Sequence, residues 1–519
     1  MSKIKVYNIS ENVDKHVAEN KNREVTPTQD IYNADFETAI SATKFGKFNI
    51  LLFLLVIPAG CTFMLETTTM SYVFPAAHCD LDLSLNDRGF LNAITFTGMI
   101  SSSFMWGFLC DTLGRKRLMV IGYLLDAVFV IMSSFSQNYT FLLIFKFLGG
   151  FIINGHYCFN CLFIGISLLQ ISFTGSVTWA ILPQKIVITL FNNSVVLRPW
   201  NLFLLVCAIP SLVSGIIFIF MPESPKFLMT VGRNEEALAV FRTVYALNTG
   251  NNKQNFPIQT LLDETKTEGR EMQKHGGHIT AGRSKTQALR EGFQQIKPLC
   301  FPPHLKHIIL VCCMQSLIMS GANTLRLWLP QIFQAISDYE YYNNGSTASL
   351  CDMLEALETS TQSDICYVNF SPTVYVNTII VASVTIFGFA VVGSLINKLG
   401  KKTLLGILAF SGGMCAMSMY FAQNTAVVVV LSSLFLSAGG IAGNVLLTII
   451  IDLFPTSLRV VTISLVLMFG PLASMTGNLV FPLLLSLGCA PPFFTLGCAL
   501  IVCSFLVMIL PNTERKALN

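Results

Sequence analysis

Charge is what this chain has least of. Charged residues make up 12% of its 519 positions, about half the share typical of a soluble domain. That scarcity excludes an ordinary water-soluble globule. The sequence has no Cys-x-x-Cys pair and no Cys/His cluster, so a metal site is not expected. It also has no phosphate-binding glycine loop, nucleophile elbow or zinc-protease motif, so neither a classical enzyme nor a cofactor is expected. The net charge of +4 is small and spread along the chain, which argues against a nucleic-acid partner. The first 47 residues lack the apolar core of a cleavable signal, so the first apolar run is expected to stay as an anchor.

Apolar residues fill the gap. They make up 53% of the chain, with a mean hydropathy of +0.61. Runs of about 20 apolar residues recur, each long enough to cross about 30 Å of hydrocarbon. They predict an all-α integral membrane protein with twelve spans in two six-span halves. The first half holds spans at 48–70, 89–110, 118–136, 140–160, 161–182 and 201–221. The second holds 305–334, 373–396, 403–421, 426–451, 460–485 and 490–510. The domain reading is a tail at 1–47, a six-span half at 48–221, a central loop at 222–304, a second half at 305–510 and a tail at 511–519.

Side of the membrane follows from the charges. The short loops at 111–117 and 397–402 are basic and should face the cytoplasm with both tails and the central loop. The outer loop at 335–372 has no Lys or Arg, and carries Asp338, Glu340, Asp352, Glu355, Glu358 and Asp364. Three sequons, at Asn138, Asn192 and Asn344, fall in segments placed outside and are candidate glycosylation sites. Most cysteines lie in spans, where they act as small apolar residues. Cys351 and Cys366 share the acidic outer loop, and either pair as a disulfide or remain thiols. In the central loop, 234–245 has the spacing of an amphipathic helix. Asn234 is placed as its cap, and Ala237, Val240, Phe241, Val244 and Tyr245 share one face. That helix is expected at the cytoplasmic ends of the bundle, and 248–300 as polar flexible chain.

One short pattern occurs twice. Gly107-x-x-x-Asp111-x-x-Gly114-Arg115-Lys116 joins the second and third spans. Gly393-x-x-x-Asn397-x-x-Gly400-Lys401-Lys402 does the same in the second half. Pro222-Glu223-Ser224 and Pro511-Asn512-Thr513 likewise close the two apolar blocks. Matched patterns at matched spacing indicate duplication, the plan of transporters that hold substrate between parallel repeats. Gly107 and Gly393 are read as sites of close helix packing, and Gly114 and Gly400 as turns. Asp111 and the basic residues are read as a conformational latch. The plainer alternative is a positive-inside anchor.

Ionisable groups at span depth are costly and usually functional. Glu66, Asp126, Lys146 and Arg326 are the candidates. Glu66 is placed as the coupling carboxylate for protons or cations. Lys146 and Arg326 either bind a substrate anion or pair with Glu66 and Asp126. Asp126 reads equally as a structural pair, and Lys146 as a snorkelling residue. Trp179 and Trp328 are either cavity aromatics or interface-belt residues. Pro58 and Pro471 mark expected kinks.

From Gly107 to Arg117 the chain resembles the major facilitator superfamily, and the likeness runs over about 45–515. Within it, the chain is similar to the synaptic vesicle glycoprotein 2 branch and its insect relatives. The carrying residues are Glu66, Phe104-Met-Trp106-Gly107, Trp179-Ala-Ile-Leu-Pro183, Pro222-Glu-Ser-Pro225 and Asp452-Leu-Phe-Pro455-Thr-Ser-Leu-Arg459. The resemblance implies a plasma-membrane or vesicle-membrane protein related to organic-ion transporters. It adds Asp452 and Arg459 to the latch. The chain departs from the family pattern at 149–182, which has no Asp, Glu, Lys or Arg and leaves bare room for a shortened fourth and fifth span. The leading functional reading is a transporter of small organic ions or other solutes working by alternating access. The alternatives are a non-transporting regulatory or scaffold glycoprotein, or a shortened isoform.

Overall fold

In the computed structural model the residues described are 33–160, 174–184, 186–190, 195–262, 299, 301–302, 304–346, 348–360 and 371–511. They fall into two units: the described residues of 1–52 with those of 222–281, and the described residues of 53–221 with those of 282–519.

The smaller unit draws on both the tail and the central loop. Strand β1 (Asn33–Ala34) leads into helix α1 (Phe36–Ala42). Asp35 caps α1 by accepting from the Thr38 amide at 3.0 Å, and hydrogen bonds from Thr38 hold its carboxyl below the usual range. Further along the chain, the central loop holds helices that are numbered below after those of the first half. Its Thr260–Leu261 pairs parallel to β1, Asn33 opposite Thr260 and Ala34 opposite Leu261. Its helix Asn234–Thr249 buries Ala237, Leu238, Phe241, Val244 and Tyr245, packing them with Ala39, Leu228, Met229 and Phe256. The amphipathic face is as the spacing predicts. The cap is not: Arg233 is the N-cap, Asn234 is the first helical residue, and Arg233 pairs with Glu236 at 2.6 Å. Nor is all of 248–300 without structure. Residues 252–261 carry a 3₁₀ turn and a strand, anchored by buried Phe256, Ile258 and Leu261. Residues 263–298 lie outside the described residues.

The larger unit is a helix bundle. The first half comprises α2 (Lys47–Leu81), α3 (Leu85–Leu113), α4 (Arg115–Ser134), α5 (Tyr139–Asn160), described helical turns α6 at 174–181, a β2–β3 hairpin (Ile188–Leu190, Val195–Leu197), and α7 (Pro199–Cys207) with α8 (Ile209–Phe220). The last two make one span interrupted at Ala208. There Pro210 cannot donate to the residue 206 carbonyl. The central loop, in the smaller unit, contributes α9 (Pro225–Thr230), α10 (Asn234–Thr249) and β4 (Thr260–Leu261). The second half comprises α11 (His304–Tyr342), α12 (Leu350–Ser360), α13 (Pro372–Leu399), α14 (Lys401–Ser418), α15 (Thr425–Leu453), α16 (Thr456–Ser486) and α17 (Ala490–Ile509). Among the described residues, nine helices are long and apolar enough to cross a membrane. Helices α3 and α5 add runs of 29 and 22 residues. Most of the expected fifth span, at 161–173, lies outside the described residues.

Several helices outrun their expected bounds. Helix α2 continues to Leu81 and passes through Pro58 and Pro75. Helix α11 continues to Tyr342, so the outer loop expected at 335–372 begins helical. Its acidic residues are held there: Gln334 donates to Asp338 at 2.8 Å and Thr425 to Glu340 at 2.5 Å.

Glycines set the closest helix contacts. A Cβ on Gly98 would strike the Phe147 carbonyl, and one on Gly150 the Thr95 carbonyl. Helices α3 and α5 therefore touch backbone to backbone. Between the halves, a Cβ on Gly89 of α3 would come within 2.8 Å of Pro482 and 2.9 Å of the Asn478 carbonyl on α16. Phe96, Met99 and Ile153 of the first half pack with Leu327 and Met475 of the second, and Tyr375 of α13 joins the first half's core.

Candidate functional site

The costliest groups of the first half meet at one place. Glu66 stands just past the middle of α2 and Lys146 lies on α5. The Lys146 Nζ lies 3.0 Å from Glu66 Oε2, with the two side chains 1% and 2% exposed. The same ammonium donates to Thr69 Oγ1 at 3.1 Å, one turn on from Glu66. Glu66 Oε1 has no hydrogen-bond partner among the described residues. It rests where a side chain on Gly149 would sit. Lys146 is therefore not snorkelling. A buried charge without a counter-charge is prohibitive, and α5 brings its ammonium to the carboxylate.

Asp126 is the second buried carboxylate, on α4. Ser211 of α8 donates to its Oδ2 at 2.7 Å, and Asp126 Oδ1 has no partner among the described residues. Ser211 had no signal in the sequence beyond its place in an apolar run. No ion pair joins Arg326 to Asp126 or Glu66 among the described residues. Arg326 lies on α11, donates to Asn323 at 3.3 Å, and comes within electrostatic reach of Tyr72 on α2. Asn323 in turn donates to Ser474 of α16 at 2.8 Å.

The two tryptophans part company. Trp179 is 53% exposed. Trp328 is 1% exposed and packs on Phe481 with ring centroids 5.0 Å apart.

The repeated pattern forms two turns of the same shape. Gly114 (φ 88°, ψ 149°) alone joins α3 to α4. Gly400 (φ 81°, ψ 149°) alone joins α13 to α14. The expected loops shrink to one residue each, in a left-handed conformation that favours glycine. Gly107 and Asp111 lie in the last turns of α3, and Arg115 and Lys116 in the first turn of α4. In the second half, Lys401 pairs with Asp452 at 2.5 Å, the side chains 34% and 37% exposed. Asn397 is exposed, and Arg459 makes its backbone bond to Pro455. Gly393 is not a packing glycine: a Cβ there would meet nothing within 4 Å. Gly393 lies on the outward face of α13, whereas its neighbours Val392 and Ile396 pack into the core.

The disulfide differs from the expected one. Cys351 bonds to Cys489, with Cα atoms 5.4 Å apart, and Cys366 lies outside the described residues. The reason is packing. Leu350 donates its amide to the Ala422 carbonyl, which seats the start of α12 beside the turn that precedes α15, and Tyr420 of that turn packs on Phe494 of α17 with ring centroids 5.7 Å apart. Of the three sequons, Asn138 and Asn344 are exposed, and Asn192 lies outside the described residues. Asn138 also caps α5 by accepting from Phe141 at 2.8 Å.

The profile of the family described as "Sugar (and other) transporter" matches residues 52–342. This chain belongs to that family. It is 30% identical to synaptic vesicle glycoprotein 2C of Mus musculus over 233 residues, covering 41% of this chain and 32% of that protein. It is 27% identical to synaptic vesicle glycoprotein 2A of Rattus norvegicus over 335 residues, covering 59% and 44%. These matches span less than half the length of either relative. Among solved structures, the inward open conformation of the xylose transporter XylE from E. coli superposes with a TM-score of 0.62 at 15% identity, covering 90% of this chain and 97% of that one. The major facilitator superfamily proton:xylose symporter XylE bound to 6-bromo-6-deoxy-D-glucose gives 0.58 at 16% identity, covering 91% and 95%. The fold is that of the major facilitator superfamily, and the chain is a multi-pass membrane protein. Family and fold are those of membrane transporters.

Proposed function

We propose that this protein carries a small organic ion or other small solute across a membrane by alternating access between its halves. Its coupling centre is Glu66 with Lys146, and the coupled ion is a proton or another cation. The observation that carries this reading is the buried pair itself. A carboxylate fully removed from water is retained in a transporter fold when its charge is used. One of its oxygens has no partner among the described residues, and so is available to a proton or cation. Asp126, with one oxygen likewise unpartnered, is a second acceptor nearby in charge terms: the Glu66 and Lys146 charges both act on it. Arg326 is placed with the substrate. The paired turns at Gly114 and Gly400, with Asp111, Arg115, Lys116, Asn397, Lys401, Asp452 and Arg459 around them, act as the latch that holds one state and releases another. The location is the plasma membrane or a vesicle membrane, with both termini cytoplasmic and glycans on Asn138, Asn192 or Asn344.

Uptake of labelled organic cations, anions and sugars into proteoliposomes, with and without an imposed pH gradient, tests this. Gradient-dependent uptake that is lost in Glu66→Gln supports it. Uptake insensitive to both the gradient and Glu66 removes the coupling role. No uptake under any gradient favours the second reading, a non-transporting membrane glycoprotein that regulates or scaffolds. That reading draws on the stretch 149–182, which has no Asp, Glu, Lys or Arg where the resembled family carries both an acid and an Arg.

A further inference from the structure

Along 321–336, helix α11 is enclosed on every side: each residue is buried except Asn323 and Arg326. The same holds for α15 along 435–446, where Gly440 and Asn444 are the exceptions. Positions three or four apart share a helix face. Each helix therefore turns one solvent-reached face inward while its other sides are packed. The two faces meet, since a Cβ added to Gly440 would lie 3.9 Å from Arg326 Nη2. Solvent contact inside a ring of packed side chains marks an internal aqueous space and not contact with the bilayer. Tyr72 of α2 lies within reach of the Arg326 charge, so the space borders both halves.

The sign of the charge in this space is set by Arg326. The expected spans of the second half contain no Asp or Glu. In the first half the acids at span depth are Glu66 and Asp126, and both are buried. A space with low-dielectric walls and one sign of charge concentrates ions of the opposite sign. The guanidinium is also aimed. Ser474 Oγ of α16 donates to the Gly470 carbonyl at 2.9 Å, so towards Asn323 it accepts, and Asn323 Nδ2 donates to it at 2.8 Å. That fixes the other end of the amide, where Asn323 Oδ1 accepts from Arg326 Nη1 at 3.3 Å. With Nη1 held there, the fork points Nη2 towards Gly440. Asn444 Nδ2 donates to the Gly440 carbonyl at 3.1 Å, and its amide has a second N–H to offer.

We infer that, given the transport reading proposed above, the carried solute is a small organic anion whose carboxylate binds Arg326 in this space. A guanidinium holds a carboxylate through parallel N–H···O bonds, with a geometry that a lysine cannot copy. Asn323 and Ser474 are its positioning residues: they orient the fork without carrying charge themselves. An organic cation would be repelled here, because the spans around Arg326 carry no acid to offset it. The site lies between the parallel repeats, where substrate sits in transporters of this plan.

The first test needs no transport. The full chain in lipid nanodiscs is treated with phenylglyoxal, a water-borne arginine reagent, and modification of Arg326 is read by mass spectrometry. Benzoate, salicylate or succinate should protect Arg326 about tenfold better than benzamide or benzyltrimethylammonium. No modification would overturn the aqueous space, and no protection, or equal protection by all five, would overturn the anion site. The second test is uptake of the protecting carboxylate into proteoliposomes. Arg326→Gln should lower it about tenfold or more, and Arg326→Lys should lower it less. Gly440→Asp, which sets a carboxylate beside the guanidinium, should lower it about tenfold further than Gly440→Asn, which adds the same bulk without the charge. Ser474→Ala should raise KM and spare kcat. Equal losses in Gly440→Asp and Gly440→Asn would overturn the charge argument. Protection without uptake would remove the transport reading and leave a bound anion. Uptake of an organic cation or a sugar that survives Arg326→Gln would remove the anion inference and leave transport.

Discussion

Lys146 holds Glu66 across two spans at 3.0 Å, and both side chains are shut away from water. Pairs of this kind are unforgiving when halved and tolerant when removed whole. Lys146→Met should destabilise the protein by about 3–5 kcal/mol, because it leaves the carboxylate buried and alone. The double variant Glu66→Gln with Lys146→Met should recover most of that loss. Thermal unfolding in detergent of the two single variants and the double would measure the difference. Additive losses would mean that the two groups do not interact energetically.

Gly149 and Gly150 are adjacent but do different things. An added Cβ at Gly149 meets the flexible end of Glu66, whereas one at Gly150 meets the Thr95 backbone. Gly150→Ala should therefore cost about 1–3 kcal/mol through forced separation of α3 and α5. Gly149→Ala should cost less in stability and act mainly on the Glu66 carboxylate. Paired melting curves and uptake assays separate the two, and the reverse order would contradict the packing described.

The pairing of Cys351 with Cys489 predicts a disulfide-linked peptide joining those positions in a non-reducing digest. Cys351→Ser should lower stability by about 2–4 kcal/mol. A Cys351–Cys366 peptide in the digest would contradict the pairing.

Lys401 and Asp452 are about a third exposed, so their pair should add less than about 1 kcal/mol to stability. Asp452→Asn should barely move the melting temperature. If the pair is part of the latch, it should still change the uptake rate, and the swap Lys401→Asp with Asp452→Lys should restore that rate. An unchanged rate in Asp452→Asn would leave the pair as surface decoration.

Much of this architecture is legible in the sequence because the bilayer imposes it. Apolar runs must be helices, and the doubled pattern around Gly114 and Gly400 marks the repeat. Glu66 and Lys146 stand out one by one, since a charge in an apolar run is conspicuous. Their partnership is legible only as one option among several, because Arg326 and Asp126 offered the same chemistry. What stayed hidden depends on distant neighbours. Ser211 looks like any small polar residue until α8 sets it against Asp126. Cys366 is near Cys351 in sequence, while Cys489 is near it in space. The pairing of Asn33 with Thr260 involves strands of two residues each, too short to leave any periodicity.

The glycine contacts also say where the molecule can and cannot bend. Where Gly98 and Gly150 bring two backbones together, α3 and α5 have no side-chain layer to shear, and they must tilt as one beam. The opposite side of α3 meets α16 through Gly89 against a proline ring and a carbonyl, a smooth surface that no ion pair or side-chain hydrogen bond crosses among the described residues. Mechanical compliance is thus distributed unevenly around a single helix. One flank of α3 is welded to its own half, and the other is a sliding bearing against the opposite half.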